Sequence, residues 1–97
     1  MVGGGKIKRM IVKRVTSVNF PSIASLGVAV LSVTVEGVVV ADYSIVSAQI
    51  DSTTNRAGLI FEAKVSADDT VEIACNNVSS ATIDPPALSF NVFCVQF

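Results

Sequence analysis

The chain has 97 residues, of which 51% are hydrophobic and 15% charged, and its formal net charge is −1. This length favours one domain. The sequence contains no histidine, which removes the most common general base and leaves a structural zinc site short of ligands. Low charge with many β-branched residues is typical of a β protein that buries more than one face or hides surface in an oligomer.

The basic residues are concentrated at the amino terminus, where residues 1–17 are predicted to form a basic arm. The favoured interpretation is that the arm contacts an acidic protein surface or a neighbouring subunit. The alternatives are a solvated flexible end and contact with nucleic acid. The arm lacks the aromatic residues that stack on bases, which makes nucleic acid the least favoured of the three. The cations of this predicted arm are Lys6, Lys8, Arg9, Lys13 and Arg14.

Apolar residues recur at every second position in 59–66 and 70–76, which predicts an antiparallel hairpin with one dry face. Asp68 and Asp69 lie in its turn, where carboxylates ordinarily accept hydrogen bonds from amides. Residues 88–97 are apolar on both parities, with Phe90 on one face and Phe93, Val95 and Phe97 on the other. This pattern predicts a central strand or one packed against another subunit, so Phe93, Val95 and Phe97 form the predicted oligomer interface.

Further extended segments are predicted at 6–18, 27–35, 38–46 and 81–84. Together with the hairpin and the last strand they predict an all-β fold, an antiparallel β-sandwich of about eight short strands for which a jelly roll is one topology. Residues 18–97 form the predicted sandwich domain. The apolar run at 26–40 is too short and too β-branched for a membrane-spanning helix, so we expect a soluble protein without a membrane partner.

The sequence offers little for catalysis. We expect no enzyme activity, no cofactor and no metal, since the acidic residues are scattered and no phosphate-binding loop occurs. Cys75 and Cys94 are interpreted as buried thiols, with a single disulfide between neighbouring strands as the alternative.

The order of several segments resembles a small β-sandwich family common among tailed-phage virion proteins. The matching segments are FPSIASLGVAVLSVTVEG, VADYSIVS and AGLIFEAKVSADDTVEIACNNVSSATIDPPALSFNVF, with VSADDTVEI and ATIDPP contributing most. The resemblance covers residues 18–97, and Ala41 stands where that family often has Gly before the Asp.

The resemblance implies a structural role: a capsid decoration (cement) protein, commonly a homotrimer, that binds the major capsid protein on the exterior of a virion assembled in the host cytoplasm. The basic arm would then grip the shell. The alternative is a fibre or adhesin domain that binds a host-surface glycan through the polar loop 49–58, which contains Asn55 and Arg56. Only one tyrosine and no tryptophan are present to stack on sugars.

Overall fold

The computed structural model describes residues 6–50 and 57–97. Two antiparallel three-stranded sheets, with strand orders β1-β6-β3 and β2-β5-β4, pack face to face. The predicted all-β sandwich is therefore confirmed. The strands are β1 (Arg9–Val18), β2 (Val28–Thr34), β3 (Ser44–Ile50), β4 (Leu59–Ala67), β5 (Thr70–Asn77) and β6 (Leu88–Gln96).

The prediction of eight strands is wrong, because the described residues form six. The predicted strand 38–46 begins only at Ser44, and residues 36–43 form turns in which Val38 is buried. Two side chains of the β4–β5 turn hold these turns: Asp69 accepts from Gly37 N at 2.8 Å, and Asp68 accepts from Val40 N at 3.0 Å. Side-chain acceptors thus replace a backbone ladder in this segment.

The predicted strand 81–84 is also too long. Only an isolated bridge forms there, between Ile83 and Ile23. Asn77, which is fully buried, donates to Ile23 O at 2.9 Å and to Ala81 O at 2.8 Å. The buried amide of Asn77 therefore finds acceptors on both segments beside the bridge, as buried polar groups require.

The segment expected to be an arm belongs to the sandwich from Arg9 onward. Strand β1 pairs along its length with β6, from Arg9 opposite Gln96 to Val18 opposite Leu88. Residues 9–17 therefore belong to a strand of the sandwich, within the extended segment predicted over 6–18, rather than to a separate arm. The physical reason is that Ile11 and Val15 have a core to join, against which both are packed.

The predicted hairpin is confirmed as β4 and β5, which pair antiparallel across the turn at Asp68 and Asp69. Val71, Ile73 and Cys75 on β5 are fully buried. The opposite parity of both strands lies on the outer surface and includes Glu62. The period-two pattern identified the buried face correctly because this face is covered by the second sheet.

The centre of the sandwich is an aromatic cluster of Phe20, Phe61 and Phe90. The ring centroids of Phe61 and Phe90 are 5.1 Å apart in an edge-to-face arrangement, and Phe20 lies 6.3 Å from each. Such geometry adds to the stabilisation from burial. Phe90, fully buried on central strand β6, joins the two sheets.

Replacing Phe90 with alanine should therefore cost about 3–5 kcal/mol of unfolding free energy, since it leaves a cavity between the sheets. Denaturant unfolding measures this loss. Ile60→Ala, at a half-exposed position on β4, is the control and should change stability by about 0.5 kcal/mol or less. Equal losses in the two variants would contradict the placement of Phe90.

Candidate interaction surface

The outward face of the β1-β6-β3 sheet is apolar at one end. Register places Met10, Val95 and Ile45 side by side in one row across the three strands, and Val12 beside Phe93 in the next. Their inward-pointing neighbours belong to the core, so these five side chains lie on the opposite surface. We call Met10, Val12, Ile45, Phe93 and Val95 the outer apolar face.

Most of the outer apolar face is accessible to solvent. Val12 is 69% exposed, Ile45 63%, Met10 59% and Phe93 39%. In the following row the side chains are Arg14, Asn91 and Gln49, which give the apolar rows a polar border. An apolar centre with a polar border is the ordinary composition of a protein–protein interface.

The second sheet presents a different outward face. On β4 and β5 it carries Glu62, Lys64 and Glu72, with Lys64 Nζ 3.7 Å from a Glu72 carboxylate oxygen. A shallow depression of about 210 Å³ lies among these residues. The two sheets therefore differ: the outer surface of β4 and β5 carries a charged group formed by Glu62, Lys64 and Glu72, and the other sheet carries the outer apolar face.

The structure separates the three residues of the predicted oligomer interface. Phe93 is the partly exposed centre of the outer apolar face, whereas Val95 is 9% exposed because its row neighbours already cover it. Phe97 lies beyond the end of β6, is half-buried, and donates its backbone N–H to Tyr43 O at 3.0 Å. Met10, Val12 and Ile45 were missed, because only the pairing of three strands places them around Phe93.

Two of the predicted arm cations are held by one carboxylate. Arg9 Nη1 lies 2.5 Å and Lys8 Nζ 3.0 Å from the oxygens of Asp42. These hydrogen bonds, first to Arg9 and then to Lys8, lower the pKa of the Asp42 carboxyl below its ordinary value. Lys8 and Arg9 therefore pin β1 to the turn before β3.

Gln96, at the end of β6, is the polar centre of this junction and is fully buried. Its Oε1 accepts from Arg9 Nη1 at 2.8 Å and from Val39 N at 2.9 Å, and its Nε2 donates to Val39 O at 2.8 Å and Ser44 Oγ at 2.7 Å. The sequence signal was available: Gln96 continues the dry parity of Leu88, Phe90, Val92 and Cys94. A polar residue at such a position needs internal partners.

The remaining predicted arm cations lie elsewhere along the same segment. Lys6 precedes β1 and is exposed. Lys13 and Arg14 lie within β1, an edge strand, and both are exposed. The five cations thus follow one edge of the sandwich, with Lys8 and Arg9 already engaged by Asp42.

Both cysteines are free and buried. Cys75 lies on β5 and Cys94 on β6, the central strands of opposite sheets. Packed sheets are about 10 Å apart, which is too far for a disulfide between them. Burial raises the pKa of both thiols, so they behave as small apolar core groups.

The glycan-binding loop of the alternative hypothesis, residues 49–58, lies largely outside the described residues, and Asn55 and Arg56 fall in its undescribed part. Within residues 6–50 and 57–97 no cluster of acidic or cysteine side chains could hold a metal ion. In the same ranges no helix has the length and apolar character needed to cross a membrane.

Comparison of the chain with family models, curated proteins and solved structures finds no match in any of the three. The resemblance to phage virion proteins therefore stays a prediction.

Asp42→Asn should lower stability at neutral pH, because it removes the charge that Arg9 and Lys8 bind. Since the folded pKa of Asp42 is depressed, its contribution is complete above the ordinary carboxyl pKa of 3.8 and is lost as the pH falls through the lower folded value. The difference in unfolding free energy between the wild type and Asp42→Asn should therefore shrink below that pH.

Denaturant unfolding across pH measures this difference. Asp84→Asn, at an exposed position before β6, is the control. A deficit in Asp42→Asn that stays constant from neutral pH into the acid range would contradict the assigned ion pairs.

Proposed function

We propose that this chain is a structural virion protein that decorates and stabilises a bacteriophage capsid, binding as a homotrimer between subunits of the shell. The observation that carries the proposal is the outer apolar face, in which exposed apolar side chains of three paired strands lie together around Phe93. The resemblance of residues 18–97 to virion proteins supports the choice of a phage capsid as the partner.

The outer apolar face supports self-association in particular. Full burial of a Phe side chain contributes about 1.5–3 kcal/mol, of which only the share from the exposed 39% of Phe93 remains to be gained. Val12 lies beside Phe93 in its row, and Met10 and Ile45 add apolar area in the adjacent row. Central aromatic residues bordered by weaker contacts are where binding energy concentrates in protein interfaces. Three copies would bury this face around a three-fold axis, since homo-oligomers generally close by symmetry.

The cations along the β1 edge support contact with the shell. Lys8 and Arg9 are committed to Asp42, so we assign the contact to Lys6 and Lys13. Lysines on an interface border mainly raise the association rate and make it salt-dependent. The shell surface that receives them would carry acidic residues of the major capsid protein.

Phe93→Lys should abolish the trimer, because it introduces a charge at the centre of the apolar contact and costs about 2 kcal/mol or more of association free energy. Sedimentation at several concentrations gives the mass, and co-sedimentation with empty capsids gives the occupancy. We expect the variant to lose both trimeric mass and capsid binding. Ile60→Lys, on the opposite sheet, is the matched control and should retain both.

A trimer in Phe93→Lys, or a wild-type chain that shows no trimer at any concentration, would contradict the proposed use of this face. Retained capsid binding by the Phe93→Lys monomer would instead reject the link between trimer and shell.

The contribution of the cations to capsid binding is tested by substitution and not by truncation, because removing residues 1–14 would delete Arg9–Arg14 from β1. Lys6→Gln combined with Lys13→Gln should weaken capsid binding at low salt and make its salt dependence shallower. Lys64→Gln, on the polar sheet, serves as the control. Equal capsid affinity and equal salt dependence in all three proteins would remove this edge from the mechanism.

A further inference from the structure

Strand β2 is an edge of the β2-β5-β4 sheet with an unpaired side. The two hydrogen bonds at its ends show which backbone groups face that side. Asn77 N donates to Gly27 O at 2.9 Å, and Val35 N donates to Asp69 O at 2.8 Å. In an antiparallel ladder, residues that bond the partner strand alternate with residues that point away from it.

The odd-numbered residues from Gly27 to Val35 therefore bond β5, as the register between the strands requires. The even-numbered residues direct their N–H and C=O groups to the free side. In the described part of the chain, no other segment forms a hydrogen bond with their backbones. These residues are Val28, Val30, Ser32 and Thr34.

The other edges of the sandwich are protected against strand addition. Strand β1 carries Arg9, Lys13 and Arg14 and has a register irregularity between Val15 and Val18. Strands β3 and β4 lie beside one another where the two sheets meet. Charges, bulges and coverage are the usual means by which proteins block edge pairing.

Strand β2 has none of these protections. Its sequence VAVLSVT contains no charged residue and no proline, and it is rich in β-branched residues. Val28 is 57% and Val30 47% exposed on its outer face, while Ala29, Leu31 and Val33 are only half-buried on its inner face. A seven-residue edge of this composition is suited to accept an extended strand.

We propose that β2 pairs antiparallel with β2 of a second copy about a two-fold axis at Leu31, which joins two β2-β5-β4 sheets into one continuous sheet. The outward-facing N–H and C=O groups of the even-numbered residues determine the register between the two β2 strands. Only an even residue opposite an even residue brings outward-facing N–H and C=O groups together, and it also keeps every side chain on its proper face.

With the axis at Leu31, all four outward-facing residues of each copy are bonded. Val30 lies opposite the partner subunit's Ser32, and Val28 lies opposite the partner subunit's Thr34. On the inner side Ala29 faces the partner's Val33, and the two Leu31 side chains meet. Because β2 has no charge, no like charges are brought together across the axis, which favours a second copy as the occupant.

This contact is independent of the proposed function, because it uses the edge of one sheet whereas the outer apolar face lies on the other. If both contacts form, the two-fold pairing links one trimer to the next and extends the assembly over a surface.

The test uses the Phe93→Lys chain, in which the outer apolar face no longer contributes. Amide hydrogen exchange is followed at low and high protein concentration, together with the mass. We expect the amides of Val28, Val30, Ser32 and Thr34 to exchange more slowly at high concentration, as a dimer appears.

Adding Val30→Lys and Ser32→Lys should remove both the dimer and the protection, because like charges then face each other. The same two positions changed to glutamate should also give a monomer, and mixing the two variants should restore a heterodimer. Ile60→Lys with Ser66→Lys, on the outer face of β4, is the matched control and should leave the β2 dimer intact.

Circular dichroism establishes that each variant is folded. If the lysine variant is not, Ser32→Pro replaces it, since that N–H points to the free edge and its loss spares the β5 ladder. Rapid exchange of the four amides at every concentration would overturn the proposal. So would protection that appears only when shell protein is added, which would assign the edge to a different chain.

Discussion

The structure depends on a strand that is apolar on both faces in a fold that has only one interior. Strand β6 places Leu88, Phe90, Val92 and Cys94 inside the sandwich, where they join the core shared by both sheets. Its other face carries Phe93 and Val95, above which residues 6–50 and 57–97 form no second layer. Burial of one face places β6 at the centre of its sheet. The other face is also apolar and has to be covered by neighbouring side chains or by a partner.

Neighbouring strands accommodate this second face only in part. Met10 and Ile45 cover Val95 from both sides, but they are themselves exposed in doing so. The neighbouring strands thus add exposed apolar side chains instead of burying this face completely. An exposed apolar surface of this kind favours coverage by a partner molecule. The outer surface of the β4–β5 hairpin, by contrast, is mostly polar. The same chain therefore forms a solvated sheet surface elsewhere.

A polar junction keeps the edge of this sheet in position. Gln96 bonds Arg9 on β1, Val39 in the β2–β3 connection and Ser44 on β3, so one buried amide joins three parts of the chain. Asp42 adds the charge that Arg9 requires, with Lys8 beside it. A buried amide with all its groups bonded specifies a geometry more sharply than apolar packing does. Of the cations along this edge, Lys8 and Arg9 hold it in place through Asp42, and Lys6 and Lys13 are the ones proposed to face a partner.

Local periodicity was sufficient where a strand alternates and pairs with its neighbour in sequence. The β4–β5 hairpin, its dry face and the two-sided character of the last strand could therefore be predicted. Periodicity could not reveal pairings between distant segments, so the extended segment 6–18 was given no partner, whereas β1 pairs with β6 at the other end of the chain. The same limit hid Met10, Val12 and Ile45, whose proximity to Phe93 exists only after β1, β6 and β3 have paired. It also placed the start of one strand at residue 38, in a segment that Asp68 and Asp69 hold through side-chain bonds, and added a strand at 81–84, where Asn77 bonds the carbonyl of Ala81.

The central claim is that the ring of Phe93 is dry in the working assembly. Fluorine NMR of the chain labelled with fluorophenylalanine measures this directly. The signal of position 93 is the one that is lost in Phe93→Lys. A soluble paramagnetic agent then reports how far the ring at position 93 is exposed to solvent. The account predicts that this signal is shielded at concentrations where the oligomer forms and becomes accessible on dilution, while the signal of Phe90 stays shielded throughout. A Phe93 signal that is equally accessible at every concentration, and also on the capsid, would contradict it.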